Sequence, residues 1–179
     1  IIGIDLGIKD LAVVSNGLVF KNINKTTTVK KLKAKLKRFQ KQVSRKYESN
    51  KEGNRYLKTA NIVKLEKQIR LLHRRLKNQR ENQRHQITTL LVKTKPAKIV
   101  VEDLDVKKMM KNKHLAKQIA EQSFFEFVRI LQYKCEFYGI EFVKADRYFK
   151  SSQICSSCGV ETGKKPLHVR SFVCPHCGT

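Results

Sequence analysis

The chain has 179 residues, with 39 Lys or Arg against 15 Asp or Glu, and a formal net charge of +24 at pH 7. This length allows one sizeable hydrophobic core and a small appendage. The charge exceeds what solubility requires and indicates a polyanionic partner, with nucleic acid favoured over a membrane surface. The sequence contains neither an apolar run as long as a transmembrane helix nor a signal-peptide pattern, so we expect no membrane partner.

The first 22 residues predict three antiparallel strands. Residues 1–7 form an apolar strand that contains Asp5, and residues 11–15 form a second strand. The dipeptide Asn16-Gly17 is a strong signal for a tight hairpin turn, after which residues 18–20 form the third strand. Continuous β-branched runs, as in the first strand, are typical of strands buried on both faces, as in a sheet covered by helices.

Residues 25–95 carry most of the charge, with 23 Lys or Arg against four Glu. Apolar residues at helical spacing predict one helix that begins near Thr26 and a second helix that ends before Pro96. A polar loop over residues 44–54 is expected between them. The second helix has an apolar seam of the coiled-coil type, so a long antiparallel helical hairpin is predicted. The seam residues are Ile62, Leu65, Ile69, Leu72 and Leu76.

The outer surface of this predicted hairpin is almost wholly basic. A solvated charged face is the usual explanation of mixed charge runs, but the excess of one sign here favours contact with phosphates. The residues that we expect to contact a nucleic-acid backbone are Lys37, Arg38, Lys41, Arg45, Arg70, Arg74, Arg75, Arg80 and Arg84.

The next predicted strand covers residues 97–102 and ends in Glu102, and a polar, basic loop is expected over residues 105–113. Burying an acid in or just after such a strand is unfavourable unless a metal or another partner compensates its charge. If the strands of Asp5 and Glu102 are neighbours in a parallel sheet, the two acids form a candidate site for a hard metal ion. The alternative is a pair of helix caps or ordinary acids at strand ends.

Residues 115–138 predict one amphipathic helix, and residues 140–143 predict the last strand. Together with the preceding strand they form a right-handed βαβ unit, so the two strands should be parallel. On the helix, Cys135 is interpreted as a core residue rather than a nucleophile. Phe124 and Phe125 are likewise interpreted as core residues rather than platforms for base stacking.

Two Cys-x-x-Cys-Gly motifs are the most specific local signal. They supply Cys155, Cys158, Cys174 and Cys177, and fifteen residues separate the two pairs, as in a four-cysteine zinc site. Four thiolates suit a tetrahedral Zn²⁺ with no open position, so we expect a structural metal that supplies the folding energy of a small module. Redox chemistry and an iron–sulfur cluster are the alternatives. The motifs also indicate a reducing compartment.

Five features follow one another along the chain: Gly3-Ile4-Asp5-Leu6-Gly7, the basic hairpin, Val101-Glu102-Asp103-Leu104, Asp146-Arg147-Tyr148-Phe149 with Ser151-Ser152, and the paired cysteine motifs. In this order they resemble the OrfB/TnpB family, the transposase-like proteins of bacterial and archaeal insertion sequences. That family is similar to the type V CRISPR effector nucleases. The resemblance covers essentially the whole chain.

The resemblance implies an α/β fold of the RNase H-like (RuvC) type, with a mixed sheet, an inserted basic helical hairpin and a small zinc ribbon. It assigns residues 1–150 to the nuclease domain, residues 25–95 to the insertion and residues 151–179 to the ribbon. In the family, the acid of the first strand and the Glu of a later strand bind divalent cations, and these map onto Asp5 and Glu102. The implied cofactors are structural Zn²⁺ and catalytic Mg²⁺ or Mn²⁺, which would activate water for phosphodiester cleavage.

The implied activity is that of a transposon-associated, metal-dependent DNA endonuclease guided by RNA, with DNA and a guide RNA as partners. We expect it to act at the nucleoid, in a prokaryotic cytoplasm.

The third catalytic acid of the family follows the second cysteine motif, whereas this chain stops at Thr179, and nothing recommends Asp103, Asp105 or Asp146 as a replacement. The N-terminal region of the family is also absent before Ile1. We therefore expect a fragment that is inactive alone.

Two alternatives stay open. The first is a nuclease-inactive, nucleic-acid-binding relative that acts as a repressor, although the presence of both Asp5 and Glu102 argues against it. The second is a cut-and-paste transposase that acts directly on transposon ends, which predicts strand joining without a guide RNA.

Overall fold

The chain divides into two compact units, Ile1–Lys144 and Ala145–Thr179. Tyr148, Ser151 and Ser152, which contribute to the family resemblance, lie outside the described residues. The computed structural model describes residues 1–147, 149, 153–166, 169 and 171–179.

The strands, in chain order, are β1 (Ile2–Leu6), β2 (Asp10–Val14), β3 (Val19–Lys21), β4 (Lys51–Glu52), β5 (Arg55–Tyr56), β6 (Lys98–Glu102) and β7 (Glu141–Ala145). The helices are α1 (Thr27–Ser49), α2 (Ala60–Lys93), α3 (Val106–Met110), α4 (Ala116–Gln122) and α5 (Phe124–Tyr138). Within the described part of the chain, no helix is long and apolar enough to cross a lipid bilayer.

A five-stranded mixed sheet forms the centre of the first unit, with the strand order β3-β2-β1-β6-β7. β2 pairs antiparallel with both β1 and β3, which confirms the predicted three-stranded opening. β1 pairs in parallel with β6, so the two acidic strands are neighbours. The N–H of Glu141 donates to the carbonyl oxygen of Ala97 at 3.3 Å, so β6 and β7 start side by side, as in a parallel pair.

The main core lies between the sheet and helices α2, α4 and α5. Leu91, Ile99 and Phe127 are among its fully buried members. The strands were expected to be buried on both faces, but β1 and β6 bury alternate residues and leave the others partly or fully exposed. β-Branched residues also suit a half-buried pleated strand, so their continuous run did not establish that both faces are covered.

Three residues of α5 test the predicted core face. Cys135 and Phe124 are 0% and 1% exposed, which confirms both as core residues. Burial raises the pKa of the Cys135 thiol to about 11, so this group stays protonated at neutral pH. Phe125 is 68% exposed, so its assignment to the core was wrong. Adjacent residues on a helix point about 100° apart, and only one of the two phenylalanines faces the sheet.

Helices α1 and α2 pack against each other through a second, smaller cluster that contains Val29, Leu36, Leu72 and Leu76. Thr26 caps α1 as expected, since its hydroxyl oxygen accepts a hydrogen bond from the N–H of Val29 at 3.4 Å. Near the other end of α1, the hydroxyl of Tyr47 donates to Glu66 on the first turns of α2 at 2.7 Å. The two helices therefore run antiparallel.

The segment 44–54 differs from the predicted loop. α1 continues through Ser49, and β4 and β5 then form a small hairpin. The rings of Tyr47 and Tyr56 meet edge to face with centroids 6.0 Å apart, and the Tyr56 hydroxyl donates to Glu48 at 3.2 Å. These contacts between side chains stabilise ordered structure in a stretch that lacks an apolar period.

The segment 105–113 was also expected to be a loop, but it contains α3. Asp105 caps this helix, because its carboxylate accepts a hydrogen bond from the N–H of Lys108 at 2.9 Å. The cap starts a short helix whose Val106 and Met109 pack against the main core.

The single helix predicted over residues 115–138 is in fact two helices, α4 and α5. Ser123 between them has a left-handed backbone, with φ of 53°. Gln122 and Phe124 would point about 200° apart on a continuous helix. The break allows both side chains to be buried, at 3% and 1% exposure.

Candidate functional site

The register of β1 and β6 brings Asp5 and Glu102 together. Ile4 lies opposite Val101 in this parallel pair, so the next residue of each strand, Asp5 and Glu102, are also neighbours. Ile4, Leu6 and Val101 face the core, whereas both acids are exposed. Because side chains alternate along a strand, the two carboxylates lie on the same face of the sheet, away from the core.

The surroundings of Glu102 disfavour its charged form. Glu102 is exposed as a residue, but partial burial of its carboxylate raises its pKa above the ordinary value of a glutamate, and the negative charge of Asp5 raises it further. Within the described part of the chain, no Lys, Arg or His lies within ion-pair distance of either group. Neighbouring oxygen ligands without a protein cation fit a hard divalent ion such as Mg²⁺ or Mn²⁺.

The second unit contains the four cysteines as one cluster, with all four Sγ atoms within 4.8 Å of one another. The Sγ atoms of Cys155 and Cys177 are 3.6 Å apart, and those of Cys158 and Cys174 are 3.8 Å apart. A tetrahedral Zn²⁺ with Zn–S bonds of about 2.3 Å separates its sulfur ligands by about 3.8 Å. The cluster therefore fits a zinc ion, and four sulfur ligands leave no open position for catalysis.

Each cysteine pair is presented by the same local turn. The N–H of Gly159 donates to the carbonyl oxygen of Cys155 at 2.9 Å, and that of Gly178 donates to Cys174 at 2.9 Å. Both glycines have a left-handed backbone, with φ of 73° and 71°. Glycine adopts this conformation without the strain of a side chain, which explains its position directly after each motif.

The predicted basic surface is largely exposed. Arg80 is an exception, because its guanidinium donates to Asn24 at 2.8 Å and pairs with Glu121 at 3.4 Å. The exposed members of the predicted set are Lys37, Arg38, Lys41, Arg45, Arg70, Arg74 and Arg75.

Arg84 was expected to contact a nucleic-acid backbone, but only 7% of it is exposed, so it does not belong to the basic surface. It lies one turn before Thr88, on the side of α2 that contacts α5. Burial lowers the pKa of its guanidinium, and its Nε has no hydrogen-bond partner among the described residues. A basic residue in a basic helix was assigned to the surface, although its helical position faces a neighbouring helix.

Sequence reasoning assigned no role to four buried polar side chains: Asn22, Thr88, Gln122 and Lys134. The Nζ of Lys134 donates to the hydroxyls of Thr88 and Thr89 at 2.8 and 2.7 Å, which ties α5 to α2. The sequence did indicate that Lys134 faces the core, because it follows Leu131 by three residues on the apolar face of α5. Nothing in the local pattern marked Asn22 or Gln122.

Two family models match the chain. The model described as "Probable transposase" (OrfB_IS605) matches residues 1–113, which is more than half of the chain. The chain belongs to the OrfB/TnpB family. The model described as "Cas12f1-like, TNB domain" matches residues 124–179, which include the four cysteines. The resemblance inferred from the sequence is thereby confirmed.

Curated relatives are longer than this chain. It is 35% identical over 177 residues to a Streptomyces pristinaespiralis protein named "Putative RNA-guided DNA endonuclease". It is 30% identical over 188 residues to the Escherichia coli (strain K12) protein of that name with the suffix InsQ. The matches cover 99% and 97% of this chain but only 40% and 43% of those relatives.

A solved structure has a similar fold. The chain matches a protein in the cryo-EM structure of the Cas12f1–sgRNA–target DNA complex with a TM-score of 0.54 and 20% sequence identity. The match covers 90% of this chain and 39% of that one. The mixed sheet with its helices is therefore an arrangement shared with Cas12f1.

Proposed function

We propose that this chain carries the catalytic part of a transposon-associated, RNA-guided DNA endonuclease of the RuvC type. The observation that carries the proposal is the adjacency of Asp5 and Glu102 on parallel strands that are distant in sequence. Membership of the OrfB/TnpB family and the names of the relatives support it. A repressor would need neither acid, and the relatives' names do not favour one.

The proposed domain organisation follows the family. Residues 1–150 form an RNase H-like nuclease domain, residues 25–95 are its basic helical insertion, and residues 151–179 are a zinc ribbon. The fold shared with Cas12f1 supports the first assignment, and the match to the TNB domain supports the last. The proposed setting is the prokaryotic nucleoid.

In the proposed mechanism, Asp5 and Glu102 hold the divalent cations. When bound, these cations supply an activated water and stabilise the charge that develops on the cleaved phosphodiester. The exposed basic residues of α1 and α2 bind the phosphates of the nucleic acid and fix its path. Arg84 is left out of this set because it is buried. A third acidic ligand, which the family places after the second cysteine motif, would complete the site.

The test is Mg²⁺-dependent cleavage of target DNA by the complete gene product that carries these residues, together with its guide RNA. Asp5→Ala should lower the cleavage rate by at least about 1,000-fold, because the lost cation contacts supply several kcal/mol to the transition state. Asp10→Asn is the matched control, since Asp10 lies on the adjacent strand and pairs with Lys21 at 3.4 Å.

Binding of guide RNA and target DNA should be unchanged in both variants, because the basic surface is intact. Cleavage by Asp5→Ala at the wild-type rate would overturn the assignment of the catalytic acids. Strand joining of transposon ends by the wild type without a guide RNA would instead identify a cut-and-paste transposase.

A further inference from the structure

The turn after Asp5 is held by two side-chain amides from distant parts of the chain. The Nε2 of Gln122 donates to the carbonyl oxygen of Gly7 at 3.2 Å, and the Nδ2 of Asn22 donates to that of Ile8 at 2.8 Å. Gln122 and Asn22 are only 3% and 6% exposed. Because a buried amide without a hydrogen bond is unfavourable, both side chains are strongly restricted to these contacts.

The same turn has little room to shift. The N–H of Gly7 donates to the carbonyl oxygen of Leu11 at 3.3 Å, and a Cβ atom on Gly7 would lie 3.1 Å from the carbonyl oxygen of Asp10. Asp5 lies only two residues before Gly7. A displaced turn would therefore change how β1 ends, and with it the position of the Asp5 carboxylate relative to Glu102.

The donor on Gln122 is itself anchored to the helical hairpin. The preceding residue, Glu121, pairs with Lys33 on α1 at 2.6 Å and with Arg80 on α2 at 3.4 Å. Gln122 is the last residue of α4, directly before the left-handed Ser123. The end of α4 is thus tied to both long helices, so it presents the Gln122 amide to the turn from a fixed position.

We propose that Gln122 is a positioning residue for the Asp5 carboxylate. It acts through the carbonyl oxygen of Gly7, without contact to cation or substrate. The inference rests on the proposed function, since it requires Asp5 and Glu102 to hold a divalent cation. Residues that orient metal ligands typically change metal affinity by about 10- to 100-fold. Because Gln122 acts on the backbone, about tenfold weaker cation binding is expected when its donor is lost.

The test is Mn²⁺ binding to the zinc-loaded complete gene product, followed by the electron paramagnetic resonance signal of free Mn²⁺. Gln122→Met keeps the length of the side chain and removes the donor, so it should raise the dissociation constant about tenfold. Gln118→Met, one turn earlier on α4 and exposed, is the matched control and should leave the constant unchanged. Asp5→Asn should abolish this binding.

Circular dichroism at the temperature of the binding experiment establishes that each variant is folded, because a purely structural role would leave the Mn²⁺ affinity of folded protein unchanged. Gly7→Ala displaces the turn without altering Gln122, should weaken Mn²⁺ binding in the same direction, and serves as the test if Gln122→Met does not fold. Wild-type affinity in a folded Gln122→Met protein, with binding abolished by Asp5→Asn, would overturn this inference alone. Wild-type affinity in Asp5→Asn would overturn the proposed function as well.

Discussion

The two candidate metal sites of this chain are built in opposite ways. The carboxylate pair joins residues from two strands separated by about half of the chain, and the register of the central sheet positions them. The cysteine cluster comes from two local turns, and among the described residues after 145 only Cys155 and Cys174 are buried. The fold therefore creates the first site, whereas we expect a bound metal to stabilise the structure around the second.

Removal of zinc should have the largest effect and should affect only one of the two units. Cys174→Ser is expected to unfold the region around the cysteines, because structural zinc contributes roughly 10 kcal/mol or more to modules of this size. Amide hydrogen exchange should show lost protection after residue 153 and unchanged protection in residues 1–144. Cys135→Ala, at a buried cysteine outside the cluster, should keep the zinc content of the wild type. Persistent protection of the zinc-free region would show that metal is not what holds it together.

A substitution in the main core should weaken the sheet unit alone and leave the cysteine cluster unchanged. Phe127→Ala removes a fully buried ring from the core and should lower the free energy of unfolding by about 3–5 kcal/mol. Phe125→Ala, two residues earlier on α5 and 68% exposed, should change it by less than about 0.5 kcal/mol. Urea unfolding followed by circular dichroism measures both values, and zinc content should stay constant. Equal effects of the two substitutions would contradict the packing of α5.

The features that could be predicted from the sequence are those that one local pattern specifies. Short β-branched runs predict the strands of the central sheet. An acid within or at the end of such a run marks Asp5 and Glu102 as candidate metal ligands. The spacing of Cys155, Cys158, Cys174 and Cys177 identifies the cluster, because four ligands of one ion need just such turns. The parallel arrangement of β6 and β7 was expected from the usual βαβ connection, whereas the pairing of β1 and β6 was only the condition on which the predicted metal site depended.

The remaining features depend on contacts that no local pattern contains. Ser123 is tolerated within helices, and its left-handed backbone becomes favourable only because Gln122 and Phe124 both face the core. Arg84 belongs to a basic helix like its neighbours, and only the packing of α5 buries it. The hydrogen bond from Gln122 to Gly7 joins residues 115 positions apart. Such positions are determined by tertiary packing, so they were predicted wrongly or not at all.

The smallest expected effect concerns the charge of the carboxylate pair. Burial and the charge of Asp5 raise the pKa of Glu102 above its ordinary value of 4.5 in the folded protein. The folded state then holds this proton to higher pH than the unfolded chain does. As the pH rises from 4.5 through the raised value, Glu102 therefore lowers the free energy of unfolding.

Glu102→Gln cannot ionise, so without divalent cations it should lose this pH dependence and gain stability at pH 7. The gain should be less than about 1 kcal/mol, because solvent screens an exposed carboxylate. Urea titrations between pH 4 and 8 measure it, with Glu141→Gln as the control at an acid paired with Lys98 at 2.9 Å. Parallel pH curves for wild type and Glu102→Gln would contradict the repulsion. Added Mn²⁺ should make the wild type the more stable of the two proteins, because a cation that binds only the folded state stabilises the protein that retains both carboxylates.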